Sequence, residues 1–183
     1  MKYKVLPSST NLYFTSSVIT GHKCLFVTEA LVRIILDSLT WLREQGYWKL
    51  HAFCVMPNHL HLVINLLKNK AIEKVLSKFH SYTGHEIRKV LKQNKEVKIL
   101  ELFRNAALEK TSDREYLIWE STLARPIETE EVLKARVEYL HNNPVAKKWR
   151  LAETRDAYPF SSACYYDRDI QPIIAIDDVR ELF

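Results

Sequence analysis

The chain has 183 residues, 47% of them hydrophobic and 27% charged, enough for one well-packed domain and short for two. With only three glycines and six prolines it is no collagenous, linker-rich or disordered polymer, and its formal charge of +5 favours acidic partners without naming one. No basic segment followed by a long apolar run opens the sequence, and no stretch approaches the roughly 18 apolar residues of a membrane span, so a cytoplasmic protein with no membrane partner is expected.

Residues 1–11 read as a loose lead. Leu12 to Ile19 are rich in β-branched and aromatic types and stop at Thr20 and Gly21, which predicts a strand. Thr28 can cap a helix in which Leu31, Ile34, Ile35, Ser38, Leu39 and Leu42 recur at helical spacing until Gly46. Trp48 to Met56 and His59 to Leu66 are two short runs separated by Pro57 and Asn58, residues suited to a tight turn, and predict a β-hairpin. A second helix is expected from Ala71 to Gln93, where Ile72, Val75, Leu76, Phe79, Thr83, Ile87, Val90 and Leu91 keep one face apolar. Gly84 weakens its middle by about 1 kcal/mol relative to alanine.

The charged stretch Lys92 to Lys110 reads as a mobile or insertion-like segment. Tyr116 to Leu123 predicts a last strand with Trp119 at its centre, and Glu128 to His141 a third long helix, its acidic start suited to the N-terminal dipole and its end set by Asn142, Asn143 and Pro144. Strand, helix, hairpin, helix, strand is the order of an α+β fold, a ferredoxin-like split βαβ antiparallel sheet flanked by helices. We expect a single domain over 1–183 with a core of about 12–166. Cys24, Cys54 and Cys164 form no CxxC pair and read as reduced, structural thiols.

In His59, Leu60, His61 the two imidazoles are two residues apart on a predicted strand and so point to one face. Leu60, Leu62, Ile64 and Leu66 share the other face, which leaves the histidine face as a candidate metal site. Two neutral imidazoles leave open positions on a divalent ion, as a catalytic ion needs. Taken alone, the pair also fits two strand-edge histidines bonded to their neighbours.

The string VMPNHLHLVI, Val55 to Ile64, resembles the His-hydrophobe-His signature of the HUH single-tyrosine transposases of insertion sequences, the IS200-like transposases. Ile118, Trp119, Ile127, Glu130, then YLHNNPV (Tyr139 to Val145) and YPFSSA (Tyr158 to Ala163) resemble later motifs of the REP-associated tyrosine transposase branch. The resemblance runs from about Leu12 to Tyr166. The chain departs from it at Glu120, where relatives often carry Gln, and at Lys147 to Arg150, where they often carry Gly-Leu-Val.

The resemblance implies a nucleophilic tyrosine on the helix after the hairpin, and in KFHSYTGHEI the tyrosine is Tyr82. It implies an oxygen or amide ligand four residues further on, where Glu86 stands, completing a metal shell with His59 and His61 around Mg²⁺ or Mn²⁺. Tyr82 also fits an ordinary amphipathic tyrosine, and Glu86 a solvated charge pairing with Lys89 or Lys78. Tyr139 is expected in the core, and His80, His85 and His141 at the surface or in caps. The implied reaction is attack of the phenol on a DNA phosphate, giving a 5′-phosphotyrosyl intermediate and a free 3′-OH, with rejoining that needs no ATP; no GxxxxGK[ST] loop is present.

Lys68, Lys70, Lys74, Lys78, Arg88, Lys89, Lys92, Lys95 and Lys98 surround the Tyr82 helix, and Lys147, Lys148 and Arg150 flank Trp149. Such stripes supply salt-dependent affinity for a phosphate backbone, and exposed rings can stack unpaired bases. The expected partner is single-stranded or hairpin DNA, by resemblance an extragenic palindromic repeat. Two other readings stay open: a domesticated, non-cleaving DNA-binding protein for repeated palindromes, and a metal-dependent hydrolase that uses water. The sequence leaves open a monomer or a homodimer, and use of the tyrosine helix in cis or in trans.

Overall fold

The computed structural model describes residues 1–6, 9–67, 71–110 and 114–182. Among the described residues five strands, β1 (Lys2–Val5), β2 (Leu12–Ile19), β3 (Trp48–Met56), β4 (His59–Leu66) and β5 (Trp119–Pro126), form one sheet in the order β1-β5-β2-β4-β3. At its centre β2 runs antiparallel to both β4 and β5, and β3 closes the hairpin with β4. Paired with one another, these four strands are antiparallel throughout, with β4 inserted between β2 and β3. That is the split βαβ arrangement expected from the order of elements.

The described start of the N-terminal lead is not loose. Lys2–Val5 form β1 and pair parallel with β5, from Lys2 against Ser121 to Val5 against Ala124, so the sheet is mixed rather than antiparallel throughout. Four residues with lysine at every second position carry too weak a strand signal to be read from sequence. Their anchor is long-range: the Tyr3 hydroxyl lies 3.1 Å from Nδ1 of His80, on the helix Ile72–Gln93.

Helices α1 (Glu29–Glu44) and α2 (Ile72–Gln93) cover one face of the sheet. Leu31, Ile35, Leu39 and Leu42 of α1 and Val75, Leu76 and Phe79 of α2 bury themselves against Leu60, Leu62 and Ile64. Thr28 stands at the N-cap of α1, yet its side chain makes no capping bond. The C-terminus is set by Gly46, whose φ of 63° lets its amide reach the Arg43 carbonyl (3.0 Å) while Tyr47 N–H reaches Leu42 (2.9 Å), the paired bonds of a Schellman stop.

The same stop ends α2 with a lysine in the glycine position: Lys95 has φ 56°, and the amides of Lys95 and Glu96 bond the carbonyls of Lys92 and Leu91. The chain then forms α3 (Val97–Glu109), which seats Phe103 and Ala107 in the core. The stretch expected to be mobile or inserted is thus an ordered helix. Only two of its residues are fully buried, so its charged surface hid the period. β5 begins at Trp119 instead of at Tyr116, because Leu117 and Ile118 bond to Phe103 and Thr20 outside the sheet.

On the opposite face lies α4 (Glu130–Asn142), with Thr129 capping it by accepting from Val132 N–H. Its Leu133, Val137 and Leu140 pack on Leu12, Phe14, Cys54 and Val63. α5 (Ala163–Arg168) follows. No helix among the described residues is long and apolar enough to cross a membrane.

His80 is not at the surface. It is buried between α2 and the sheet, with Nε2 3.0 Å from Ser17 Oγ, and Thr122 donates to the same Ser17 oxygen at 2.9 Å. Burial, with the positive charge of Arg114, lowers its pKa to about 3. Its folded pKa therefore lies below the unfolded value near 6.5. The stability it contributes as a neutral ring is present above about pH 6.5 and is lost as pH falls toward its folded pKa.

Thermal denaturation across pH 7.5 to 5 should show a falling midpoint, and His80→Asn, although less stable at pH 7.5, should show a shallower fall by on the order of 2 kcal/mol; an equal slope removes His80 from that dependence. Within α2, an added methyl at Gly84 would meet Trp119 Cδ1 at 3.9 Å and Ile118 Cδ1 at 4.0 Å, ordinary contacts. Gly84→Ala should accordingly stabilise the fold by about 0.5–1 kcal/mol in urea unfolding.

Candidate active site

Alternation along β4 decides where the histidines go. Leu60, Leu62 and Ile64 face α1 and α2, so His59 and His61 face the α4 side. The β3–β4 turn fixes the start of the pair: Ile19 N–H bonds the Asn58 carbonyl (2.9 Å), and the Pro57 carbonyl accepts from Leu25 (2.8 Å) and Phe26 (2.9 Å). Asn58 donates its side-chain amide to His22 O (3.0 Å) and holds its Oδ1 2.6 Å from His59 Nδ1. A proton on Nδ1 satisfies that bond and leaves Nε2 of His59 with a free lone pair.

The two rings meet edge to face at 4.7 Å. His61 is 3% exposed, and neither of its nitrogens has a hydrogen-bond partner of normal geometry, although the Thr15 backbone lies near enough to temper the shift of its pKa. Burial and the neighbouring His59 push His61 down to about 3; burial and Lys148 push His59 down to about 4. Both are neutral at pH 7, the form that binds a metal.

Around the pair stand groups from α4 and the turn after it. Phe14 stacks on His61 at 5.4 Å and 24°, and the Tyr139 ring meets His61 at 5.4 Å and 70°. Asn143, one helical turn beyond Tyr139, donates its amide nitrogen to the Tyr139 carbonyl (2.9 Å), and its side chain tempers the lowering of the His59 pKa. Pro144 ends the helix, and Trp149 N–H to Ala146 O (2.8 Å) and Leu151 N–H to Pro144 O (2.8 Å) fold the following turn back. Trp149 then lies 5.8 Å from His59, with Lys148 Nζ 5.3 Å from its indole.

The ligands proposed from sequence divide between the two faces. Tyr82 is 56% exposed on α2, in a groove of about 510 Å³ shared with Trp41, Leu42, Lys78 and Phe79. Glu86 pairs with Lys89 at 2.8 Å. Because α2 packs on the leucine face of β4, the sheet separates Tyr82 and Glu86 from the histidines of the same chain. Within one chain they do not form the expected site. Tyr139, expected in the core, is instead 51% exposed beside His61.

The apolar stripe of α4, Leu133, Val137 and Leu140, is the signal that places Tyr139 off the buried face. Among the described residues no group of three or more His, Cys, Asp and Glu side chains could hold a metal. The polar side chains that gather at this face are the two imidazoles and, beside His59, Asn143, and the unpaired buried nitrogens of His61 fit an ion there.

The basic residues divide in the same way. Lys74, Lys78, Arg88, Lys89 and Lys92 lie on α2, several already engaged: Arg88 with Glu115 at 3.3 Å, Lys78 over Trp41 and Tyr47, Lys92 over Tyr116. Lys147, Lys148 and Arg150 follow α4, and Lys148 adjoins the histidines through Trp149. Lys68 and Lys70 lie outside the described residues.

What holds α4 in register is the YPFSSA segment. Tyr158 OH donates to Val55 O (2.8 Å), Val55 N–H to Phe160 O (2.9 Å), and Ser162 Oγ accepts from Phe53 N–H (3.0 Å). His141 Nε2, buried on α4, lies 2.8 Å from that same Ser162 oxygen. His141 is therefore a structural anchor and not a surface or capping residue. Arg155 adds bonds to Asp167 (2.7 Å) and to Glu138 (2.5 Å), the neighbour of Tyr139.

Residues 21–105 match the family model described as "Transposase IS200 like", a stretch that contains the histidine hairpin and ends before Tyr139. No curated protein matches the sequence. Among solved structures, a REP-associated tyrosine transposase bound to a REP hairpin aligns with a TM-score of 0.55 and 17% identity, covering 98% of this chain and 93% of that one; the likeness is one of fold. A putative transposase from Deinococcus radiodurans R1 aligns with a TM-score of 0.46 and 16% identity over 78% of this chain and 97% of that one, too distant to carry weight.

The anchor is open to measurement. Ser162→Ala leaves His141 and Phe53 N–H without their shared buried partner, and should cost about 1–3 kcal/mol in urea unfolding. A change under about 0.5 kcal/mol would mean that α4 is held without it.

Proposed function

We propose that the protein is a metal-dependent tyrosine DNA transposase that nicks and rejoins single-stranded or hairpin DNA, with Tyr139 as its nucleophile. The observation that carries this reading is the Tyr139 ring at 5.4 Å from His61, on the face where both histidines stand neutral and both ring nitrogens of His61 lack a hydrogen-bond partner. Tyr139 and Asn143 are four residues apart on one helix and so share a side of it. They supply from α4 the tyrosine and oxygen donor that the sequence alone assigned to α2.

His59 and His61 would hold a divalent cation, Mg²⁺ or Mn²⁺, with the Asn143 oxygen as third protein donor. Such an ion, when bound, supplies charge neutralisation and orientation for a phosphate. The chain's own residues do the rest. Tyr139 Oη attacks phosphorus, its proton passing to solvent; the P–O3′ bond breaks, and the departing 3′ oxygen takes up a proton. A 5′-phosphotyrosine and a free 3′-OH result, and the reverse attack by another 3′-OH rejoins a strand. Lys147, Lys148 and Arg150 meet the DNA backbone next to the site, and Trp149 offers a face on which an unpaired base can stack. That a fold neighbour is described bound to a REP hairpin supports a palindromic hairpin as the substrate class.

Incubation with Mn²⁺ and a single-stranded DNA hairpin should give a covalent protein–DNA adduct. Tyr139→Phe should abolish it, Tyr82→Phe should leave it within about threefold, and EDTA should suppress it. An adduct that persists in Tyr139→Phe would remove this residue from the reaction. Tight hairpin binding with no adduct under any metal would instead favour a non-cleaving DNA-binding protein.

A further inference from the structure

Arg136 stands three residues before Tyr139 on α4 and therefore on the same side of the helix. Its guanidinium lies 5.4 Å from the centre of the Phe14 ring, the ring that also stacks on His61 at 5.4 Å and meets the edge of Tyr139 at 5.9 Å. One phenylalanine thus seats the arginine, the tyrosine and a histidine of the candidate site.

The guanidinium has no carboxylate partner among the described residues, although acidic side chains are close in sequence. Glu130 is taken by Lys134, and Glu138 by Arg155. A half-buried guanidinium with five donors and only a ring face beneath it is arranged to receive an anion from outside. Its planar fork matches two non-bridging oxygens of a phosphodiester.

We propose that Arg136 is a further catalytic residue: it binds the non-bridging oxygens of the phosphate that Tyr139 attacks and stabilises the charge that builds on them in the transition state. It exchanges no proton with the reactants. This assignment rests on the tyrosine transposase reading. It differs from the role of Lys147, Lys148 and Arg150, which add affinity along the backbone, because a group bound to the reacting phosphate acts on the rate once DNA is bound.

The experiment is single-turnover adduct formation at saturating hairpin DNA with Mn²⁺, alongside hairpin binding by fluorescence anisotropy, for the wild type and for Arg136→Gln, Arg136→Lys and Arg136→Ala. Arg136→Gln should lower the saturated rate roughly 10²- to 10³-fold while Kd stays within about threefold. Arg136→Lys should recover part of the rate, and guanidinium chloride at millimolar concentration should recover Arg136→Ala at least about tenfold, which repair of a merely structural defect would not do. A saturated rate for Arg136→Gln within about threefold of wild type, an effect confined to Kd, or an absence of both recoveries overturns the assignment. A wild-type protein that forms no adduct overturns the transposase reading and this assignment with it. A normal wild-type adduct with an unaffected Arg136→Gln overturns the arginine alone.

Discussion

The site depends on the alternation of side chains along β4. Leu60, Leu62 and Ile64 are claimed by α1 and α2, and strand geometry then sends His59 and His61 to the other face, where α4 is the covering helix. Apolar burial on one face thereby fixes the polar chemistry on the other. A shift of one residue in the pairing of β4 with β2, His61 opposite Ser16 in this register, would exchange the two sets and bury the site under α2.

Once the histidines face α4, the setting of that helix governs which of its residues reach them. Leu133, Val137 and Leu140 hold it down. His141, Ser162 and the β3 backbone hold it along the strand edge through bonds of 2.8 and 3.0 Å, and Arg155 fastens Glu138 to α5. Tyr139 and Arg136 project from the side that these contacts leave free. Burial without hydrogen-bond partners keeps His61 neutral, a cost of folding that a bound cation would offset.

Much of this was legible in the sequence because it is local. The hairpin Trp48–Met56 and His59–Leu66, the strand Leu12–Ile19 and both long helices of the leucine face appear where turn residues and hydrophobic periods place them. β1 and α3 were not legible: one is four residues long and depends on pairing with β5 more than a hundred residues away, the other follows a helix stop built on Lys95 where glycine is the usual mark. His80 and His141 were misjudged because their partners, Ser17 and Ser162, come from distant segments.

The choice of tyrosine shows the same limit in sharper form. Tyr82 with Glu86 and Tyr139 with Asn143 present one local pattern, a tyrosine followed four residues later by an oxygen-bearing side chain on a helix. Only the face of the sheet that each helix covers separates them, and that is a property of the topology. The most direct measurement is the identity of the tyrosine joined to DNA: nuclease trimming of the covalent adduct, proteolysis, and mass spectrometry of the nucleotide-bearing peptide. The arrangement described predicts the nucleotide on Tyr139; a nucleotide on Tyr82, or on any other residue, would contradict it.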